Sequence, residues 1–178
     1  MDIVKIANHK VSPLNSYFFD TNVWLFIYGP VAGTNVRKQD AYSALLRDII
    51  DLKATIYISS LVLAEYINAV LRIGFLNWKQ KTRNTTADYK RDYRPTEDYN
   101  NTLKDAISQI EDILKITQKK PDDFNSINIS DVLGRMSNKA DFNDVYIAKA
   151  CECRSSVKLV SDDTDLQSLG INVMLITA

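Results

Sequence analysis

Short apolar runs alternate with amphipathic stretches along this chain. The runs Ser16–Phe19, Thr55–Ile58 and Val157–Val160 are rich in aromatic and β-branched residues, which is typical of buried strands. A further run over residues 172–176 predicts one more strand. Because helical stretches separate these strands, the pattern predicts an α/β fold with a central, mainly parallel β-sheet flanked by α-helices.

Helical periodicity fills the intervals between the strands. Within residues 98–117, Leu103, Ile107 and Leu114 recur at spacings that place them on one helical face. Capping residues and glycines set the other predicted boundaries, with Ser60 as a cap and Gly74 as a helix terminator. The remaining predicted helices cover residues 21–28, 39–52, 60–72, 131–136 and 142–154.

Length and composition indicate one globular domain over residues 1–178. Within it we expect an irregular N-terminal extension at residues 1–15 and an extended helical region at about 74–128. No run approaches the roughly 20 apolar residues that span a bilayer, so no membrane association is expected. Cys151 and Cys153 are too close in sequence for a structural disulfide, which favours a reduced, cytoplasmic setting.

Four acids lie where apolar runs end or are interrupted. An ionised carboxylate beside a buried element is costly unless something positive compensates it. Two carboxylates about 4 Å apart repel by about 4 kcal/mol at an effective dielectric constant near 20, so a cluster must protonate, pair with a base or bind a cation. Asp20 and Asp163 both follow predicted parallel strands and should share one edge of the sheet. The four acids are Asp20, Glu65, Asp144 and Asp163.

The residue types near these acids narrow the chemistry. Magnesium and manganese prefer oxygen ligands, whereas zinc is improbable without a cluster of cysteine and histidine. The single histidine, His9, excludes a histidine-pair ribonuclease mechanism. With only five glycines and no phosphate-cradling loop, hydrolysis of nucleoside triphosphates is not expected. An acidic site of this kind suits metal-assisted hydrolysis of a phosphodiester.

Four segments resemble, in order, the motifs of PIN-domain nucleases. Each segment alone is a weak signal, but all four in sequence order are specific, and the resemblance extends from Ser16 to about Ile176. The segments are Phe-Phe-Asp-Thr-Asn-Val at 18–23, Ser-Leu-Val-Leu-Ala-Glu at 60–65, Asp-Val-Tyr-Ile-Ala-Lys-Ala at 144–150 and Leu-Val-Ser-Asp-Asp-Thr-Asp-Leu at 159–166.

The resemblance implies a three-layer PIN-like fold and a Mg²⁺- or Mn²⁺-dependent endoribonuclease similar to VapC-type toxins. It implies RNA as substrate, an antitoxin protein as partner and a homodimer. Asp20, Glu65, Asp144 and Asp163 become the catalytic, metal-binding acids, with Asp165 as a fifth ligand. Asn22 and Ser161 would support this set, Asn22 by a hydrogen bond to Asp20.

Other interpretations of the acids and of the function stay open. Asp20 and Asp144 could serve only as helix caps, Glu65 could belong to a solvated helical face, and Asp163 could be a local turn residue. Asp162 is expected to be exposed or locally bonded. The alternative functions are a structure-specific DNA nuclease and a non-catalytic module that binds RNA or protein.

A basic stretch with interleaved aromatic residues follows the second motif. Cations for phosphates and aromatic faces for bases are typical of binding to single-stranded RNA. We therefore expect this stretch to border the active-site groove, the alternative being a solvated helix with its aromatic residues turned to the core or to a subunit interface. The basic candidates are Arg72, Lys79, Lys81, Arg83, Lys90 and Arg91, and the aromatic residues are Trp78, Tyr89 and Tyr93.

Overall fold

A six-stranded, all-parallel sheet forms the centre of the computed structural model, which describes residues 2–121, 124–153 and 156–178. The strand order across the sheet is β1-β6-β5-β2-β3-β4. The strands are β1 (Asp2–Lys5), β2 (Ser16–Phe19), β3 (Thr55–Ile58), β4 (Gln118–Lys119), β5 (Val157–Val160) and β6 (Met174–Thr177).

α-Helices connect β2, β3, β4 and β5 in chain order, as crossovers between parallel strands require, and shorter helical turns lie between β1 and β2 and between β5 and β6. The α/β architecture expected from the sequence is therefore confirmed, and within the described residues the sheet is wholly rather than mainly parallel. The α-helices are α1 (Thr21–Ile27), α2 (Val36–Asp51), α3 (Ser60–Thr82), α4 (Glu97–Ile116), α5 (Ile129–Arg135) and α6 (Phe142–Glu152), with shorter helical turns at Ile6–Asn8, Tyr89–Tyr93 and Thr164–Leu169.

The central strands β2 and β5 place large apolar side chains in the core. Phe18 pairs with Leu159 and Phe19 with Val160, and all four side chains are buried. Since both strands run in the same direction and end in register, the residues that follow them emerge at one edge. This carboxyl edge is where an open α/β sheet binds ligands.

The N-terminal segment is not the irregular extension that its composition suggests. Residues Asp2–Lys5 form the edge strand β1, paired in parallel with β6 from Asp2↔Met174 to Lys5↔Thr177. His9 then hydrogen-bonds the hydroxyl of the buried Tyr17 at 3.1 Å. Residues Asp2–Lys5 are thus part of the sheet, and the carboxyl end of β1 lies at the same edge as the carboxyl ends of β2 and β5.

Helix α3 is longer than the sequence pattern indicates. Its N-cap is Ser59 rather than Ser60, and it continues through Gly74 to Thr82. Gly74 lies where α3 meets Tyr93 and Thr102 of the following elements, so its lack of a side chain permits close packing instead of ending the helix. The end of α6 predicted at residue 154 and residues 122–123 of the predicted helical region lie outside the described residues.

Gly74→Ala is expected to destabilise the protein by about 1–3 kcal/mol, because overpacking displaces neighbouring groups. An added Cβ would lie 2.6 Å from the Tyr93 hydroxyl and 2.7 Å from Thr102 Cγ2. Urea unfolding measures the effect. Gly134→Ala in α5 is the matched control: its Cβ would meet no atom within 4 Å, so helix propensity should make it neutral or stabilising by up to about 1 kcal/mol. Equal unfolding free energies for the two variants would contradict this packing.

No helix among the described residues is long and apolar enough to cross a membrane.

Candidate active site

Asp20 is the N-cap of α1, directly after β2, and its carboxylate is held on both oxygens. Oδ1 accepts a hydrogen bond from the backbone N–H of Thr21 at 2.7 Å. Oδ2 accepts one from Asn22 Nδ2 at 2.6 Å and one from the buried Ser161 hydroxyl at 2.7 Å. A carboxylate has about four lone-pair sites, so one site on Oδ1 remains for a further partner. The Asn22–Asp20 hydrogen bond expected from the sequence is present.

Glu65 lies in the second turn of α3 and is oriented by two other elements. Its Oε2 accepts a hydrogen bond from Thr21 Oγ1 at 2.7 Å. Its Oε1 accepts a short hydrogen bond from Asn143 Nδ2 in the first turn of α6. These contacts across 44 and 78 residues fix the carboxylate beside Asp20, which a solvated helical face would not do.

Asp144 forms a capping box with Asp141 at the start of α6. Asp144 Oδ2 accepts from the backbone N–H of Asp141 at 2.9 Å, and the Asp144 N–H donates to Asp141 Oδ1 at 3.1 Å. Asp144 Oδ1 accepts no hydrogen bond within the part of the chain that the structure describes. The capping function expected for Asp141 is therefore present, and it still leaves one Asp144 oxygen available.

Asp163 follows β5 and precedes the helical turn Thr164–Leu169. Its Oδ1 accepts from the Asp165 N–H at 2.8 Å, and its own N–H donates to Ser161 Oγ at 3.0 Å. Ser161 thereby joins Asp20 and Asp163 through one hydroxyl group. Asp165 points to a different partner, because its Oδ1 lies 3.6 Å from Lys139 Nζ.

The electrostatics of these acids differ from those of ordinary helix caps. Burial raises the pKa of Asp20 to about 6, and the Glu65 and Asp144 carboxylates add to the rise against hydrogen bonds from Ser161 and Thr21. Burial also raises the pKa of the half-buried Asp144 to about 6, with Asp141, Asp163 and Glu65 contributing. A capping interaction alone favours the ionised acid. The raised pKa values thus reflect burial first and repulsion from neighbouring carboxylates second, a combination that is typical of a functional site.

No lysine or arginine forms an ion pair with Asp20, Glu65, Asp144 or Asp163 in residues 2–121, 124–153 and 156–178. Asp20 and Asp144 line one narrow crevice together with Ile147, Leu159 and Leu166. Protonation of a carboxylate or binding of a cation would therefore relieve the repulsion among these four acids.

The donor set fits a hard divalent cation in its chemistry. All candidate donors are carboxylate oxygens, the ligands that magnesium and manganese prefer. Among the described residues, no three histidine, cysteine, aspartate or glutamate side chains converge into a ready metal cluster. Magnesium commonly keeps several waters and takes one or two carboxylates plus substrate phosphate, so the Asp20–Asp144 pair suits it.

The expectation that Asp162 is exposed or locally bonded was wrong. It is neither exposed nor locally bonded, since its Oδ2 accepts from Lys38 Nζ at 2.7 Å and its Oδ1 from the Tyr42 hydroxyl at 3.0 Å. Its own N–H donates to Asn22 Oδ1 at 3.0 Å. Asp162 therefore ties α2 to the residue that holds Asp20.

The six basic candidates are spread along α3 and the turn after it. Glu65, Asn68, Arg72 and Phe75 lie on one helical stripe, and the last three line a cavity with Tyr89. Arg72 is about 10 Å along the helix axis from Glu65, whereas Lys81 is about 24 Å away. Arg72 is therefore the basic residue of this set that lies nearest to Glu65 along the helix. Arg83, at the α3 C-cap, and the exposed Lys90 lie still further along the chain.

Several of these cations already have partners at the far end of α3. Lys81 pairs with Asp98 at 2.9 Å, Arg91 pairs with Asp92 at 2.8 Å, and Lys79 lies over the Phe75 ring at 5.4 Å. The aromatic residues pack on one another: Tyr93 is fully buried and its ring contacts those of Phe75, Trp78, Tyr89 and Tyr99. The interleaved aromatic pattern thus forms a packed cluster between α3 and α4.

Thr21 and Asn143 were not singled out from the sequence as site residues. Both orient Glu65, and neither carries a charge or a spacing that points to an acid elsewhere in the chain. The sequence offers one indication of their role: Thr21 directly follows Asp20, and Asn143 directly precedes Asp144.

Comparison with known families gives one result that covers most of the chain. The family model described as PIN domain matches residues 17–172. This range includes every acid of the site and, apart from Ser16 at the start of β2, the elements from β2 to β5. The comparison with curated proteins found no match.

Proposed function

The chain belongs to the PIN domain family, and we propose that it is a Mg²⁺- or Mn²⁺-dependent endoribonuclease. PIN domains are generally nucleases, and a nuclease acts on nucleic acid. The observation that supports the metal-dependent activity is the set of carboxylates at the carboxyl edge, in which Asp20 and Asp144 each have a pKa raised to about 6 and no ion pair within the described residues.

Each side chain has a distinct part in the proposal. Asp20 and Asp144 would hold the cation with the oxygens that their hydrogen bonds leave available, and Glu65 and Asp163 would bind it directly or orient water around it. When bound, the cation would acidify water and neutralise charge that develops on the phosphate oxygens. Ser161, Asn22, Thr21 and Asn143 orient the acids, so little reorganisation is needed when substrate arrives.

Two further parts of the proposal are based on the motif resemblance to VapC-type toxins. They are the preference for RNA and the role as the toxin of a toxin–antitoxin pair. The stripe from Glu65 to Arg72 offers a cation for a neighbouring phosphate. An antitoxin that inserts a basic side chain between the four carboxylates would relieve the same repulsion as a metal. A homodimer and a cytoplasmic location belong to the same proposal.

Cleavage of matched RNA and DNA strands tests the proposal. Purified protein should cut single-stranded RNA in Mn²⁺ or Mg²⁺, stop in EDTA and recover when excess metal is restored, with weaker cleavage of the same sequence as DNA. Cleavage that persists in EDTA would refute metal dependence, and preferential cleavage of branched or single-stranded DNA would replace RNA as substrate. Arg72→Gln tests the proposed contact between Arg72 and an RNA phosphate, and it should weaken RNA binding. An unchanged affinity for RNA would show that Arg72 does not bind the substrate.

A further inference from the structure

A basic cavity lies at the carboxyl edge of the sheet, apart from the acids. It has a volume of about 670 Å³, which falls in the range of small-molecule sites. Its lining contains three cationic side chains, Lys5, Arg37 and Lys38, and no acidic one.

The fold brings these cations together from three elements. Lys5 ends β1, Ala178 follows β6, and Arg37 and Lys38 occupy the first turn of α2 after the N-cap Asn35. The first turn of a helix carries a partial positive charge, where cations are unfavourable and an anion is favoured. The cavity thus concentrates positive charge from side chains and backbone in a chain whose formal net charge is zero.

The three cations differ in the hydrogen bonds and ion pairs that they already form. Lys5 Nζ donates to the main-chain oxygen of Ala178 at 2.7 Å, and Lys38 pairs with Asp162 at 2.7 Å. Arg37 is exposed and has no ion pair in the described part of the chain. Its guanidinium group has the planar fork that binds phosphate oxygens in pairs.

A chain of hydrogen bonds joins this cavity to the acids. Lys38 contacts Asp162, the Asp162 N–H donates to Asn22 Oδ1, and Asn22 Nδ2 donates to Asp20 Oδ2. Across the sheet, β1 and β2 are three strand spacings apart, or roughly 14 Å. A single nucleic-acid strand spans such a distance within a few nucleotides.

We propose that the cavity of Lys5, Arg37 and Lys38 binds a backbone phosphate of single-stranded RNA a few nucleotides from the bond that is cut. The inference rests on the proposed function, because the occupant is a flanking part of the same substrate. It adds a site on β1 and α2, on the opposite side of the acids from the α3 stripe. The cavity aligns the strand so that the scissile phosphate meets Asp20 and Asp144.

Salt-dependent RNA binding tests this site without requiring catalysis. Fluorescence anisotropy of a labelled single-stranded RNA is measured on an Asp20→Asn background between about 50 and 200 mM KCl. Adding Arg37→Gln should weaken binding and lower the slope of log K against log[salt] by about 0.7, and Lys5→Gln should lower it by a similar amount. Arg47→Gln is the matched control, since Arg47 is exposed on the same helix but outside the cavity.

The outcomes separate this inference from the proposed function. If Arg37→Gln and Lys5→Gln behave like Arg47→Gln, or if no RNA binding is measurable, the cavity is not a phosphate site. If the slope falls as expected while the Asp20-containing protein shows no metal-dependent cleavage, the cavity binds RNA and the proposed catalysis fails. Cleavage of a strand too short to reach the cavity should be unaffected by Arg37→Gln, and a loss there equal to that on longer RNA would overturn the flanking placement.

Discussion

Asp20→Asn is expected to reduce metal-dependent RNA cleavage by at least about a hundredfold while the protein stays folded. Replacing groups that merely orient a metal ligand costs about 10- to 100-fold, and Asp20 is proposed to touch the metal itself. Asparagine keeps one oxygen to accept from Thr21 but loses the negative charge and the second acceptor oxygen. Single-turnover cleavage of a labelled RNA in saturating Mn²⁺ measures the effect.

The matched control is Asp48→Asn, which makes the same change in charge at an exposed position of α2. It should cleave RNA at the wild-type rate. Asp20→Asn should also bind RNA at least as tightly as the wild-type protein, since one negative charge near the phosphates is removed. Cleavage by Asp20→Asn within a few-fold of wild type, at equal melting temperature, would show that Asp20 only caps α1.

The candidate acidic site was predicted in part from the positions of acids directly after predicted strands. Asp20 and Asp163 follow apolar runs, and parallel pairing of β2 with β5 brings the residues after both runs to one edge. Glu65 and Asp144 were predicted from interrupted apolar runs and motif order, and the structure adds the electrostatic interactions between these acids and Asp20, which no local pattern could measure. Aromatic and β-branched residues are enriched in strands, and the predicted bounds of β2, β3 and β5 match those observed.

Features that depend on tertiary contacts were not predictable in the same way. Strand β1 is four residues long, begins with an acid and ends with a lysine, so its sequence lacks an apolar run and its pairing with β6 defines it. Gly74 has the local signature of a helix terminator, yet close packing against Tyr93 and Thr102 determines its role. The Lys38–Asp162 ion pair joins residues 124 apart, and no local pattern encodes such a contact.

Without metal, the protein is expected to become more stable as the pH falls from 7 to 5. The pKa of Asp20 is about 6 in the folded state against 3.8 for a free side chain, so the folded state binds the proton more tightly. Stability therefore increases as the pH falls through about 6, and the gain is complete below 3.8. Asp20 alone should contribute roughly 1 kcal/mol between pH 7 and pH 5, or about 2–4 °C in melting temperature.

Divalent metal should reverse this dependence, because it binds the ionised acids that protonation removes. At a hundred times its dissociation constant, Mn²⁺ would stabilise the fold by about 2.7 kcal/mol at pH 7 and by less at pH 5. Melting temperatures at both pH values, with EDTA or Mn²⁺, measure the two effects. The lower limit is pH 5 because the acids paired with Lys149 lose that pairing in stronger acid.

In Asp20→Asn both the acid stabilisation and the Mn²⁺ stabilisation should shrink, because the titrating group and the proposed ligand are the same carboxylate. If Asp20→Asn lost the Mn²⁺ effect but kept the full pH effect, the raised pKa would belong to Asp144, and Asp20 would act only as a ligand.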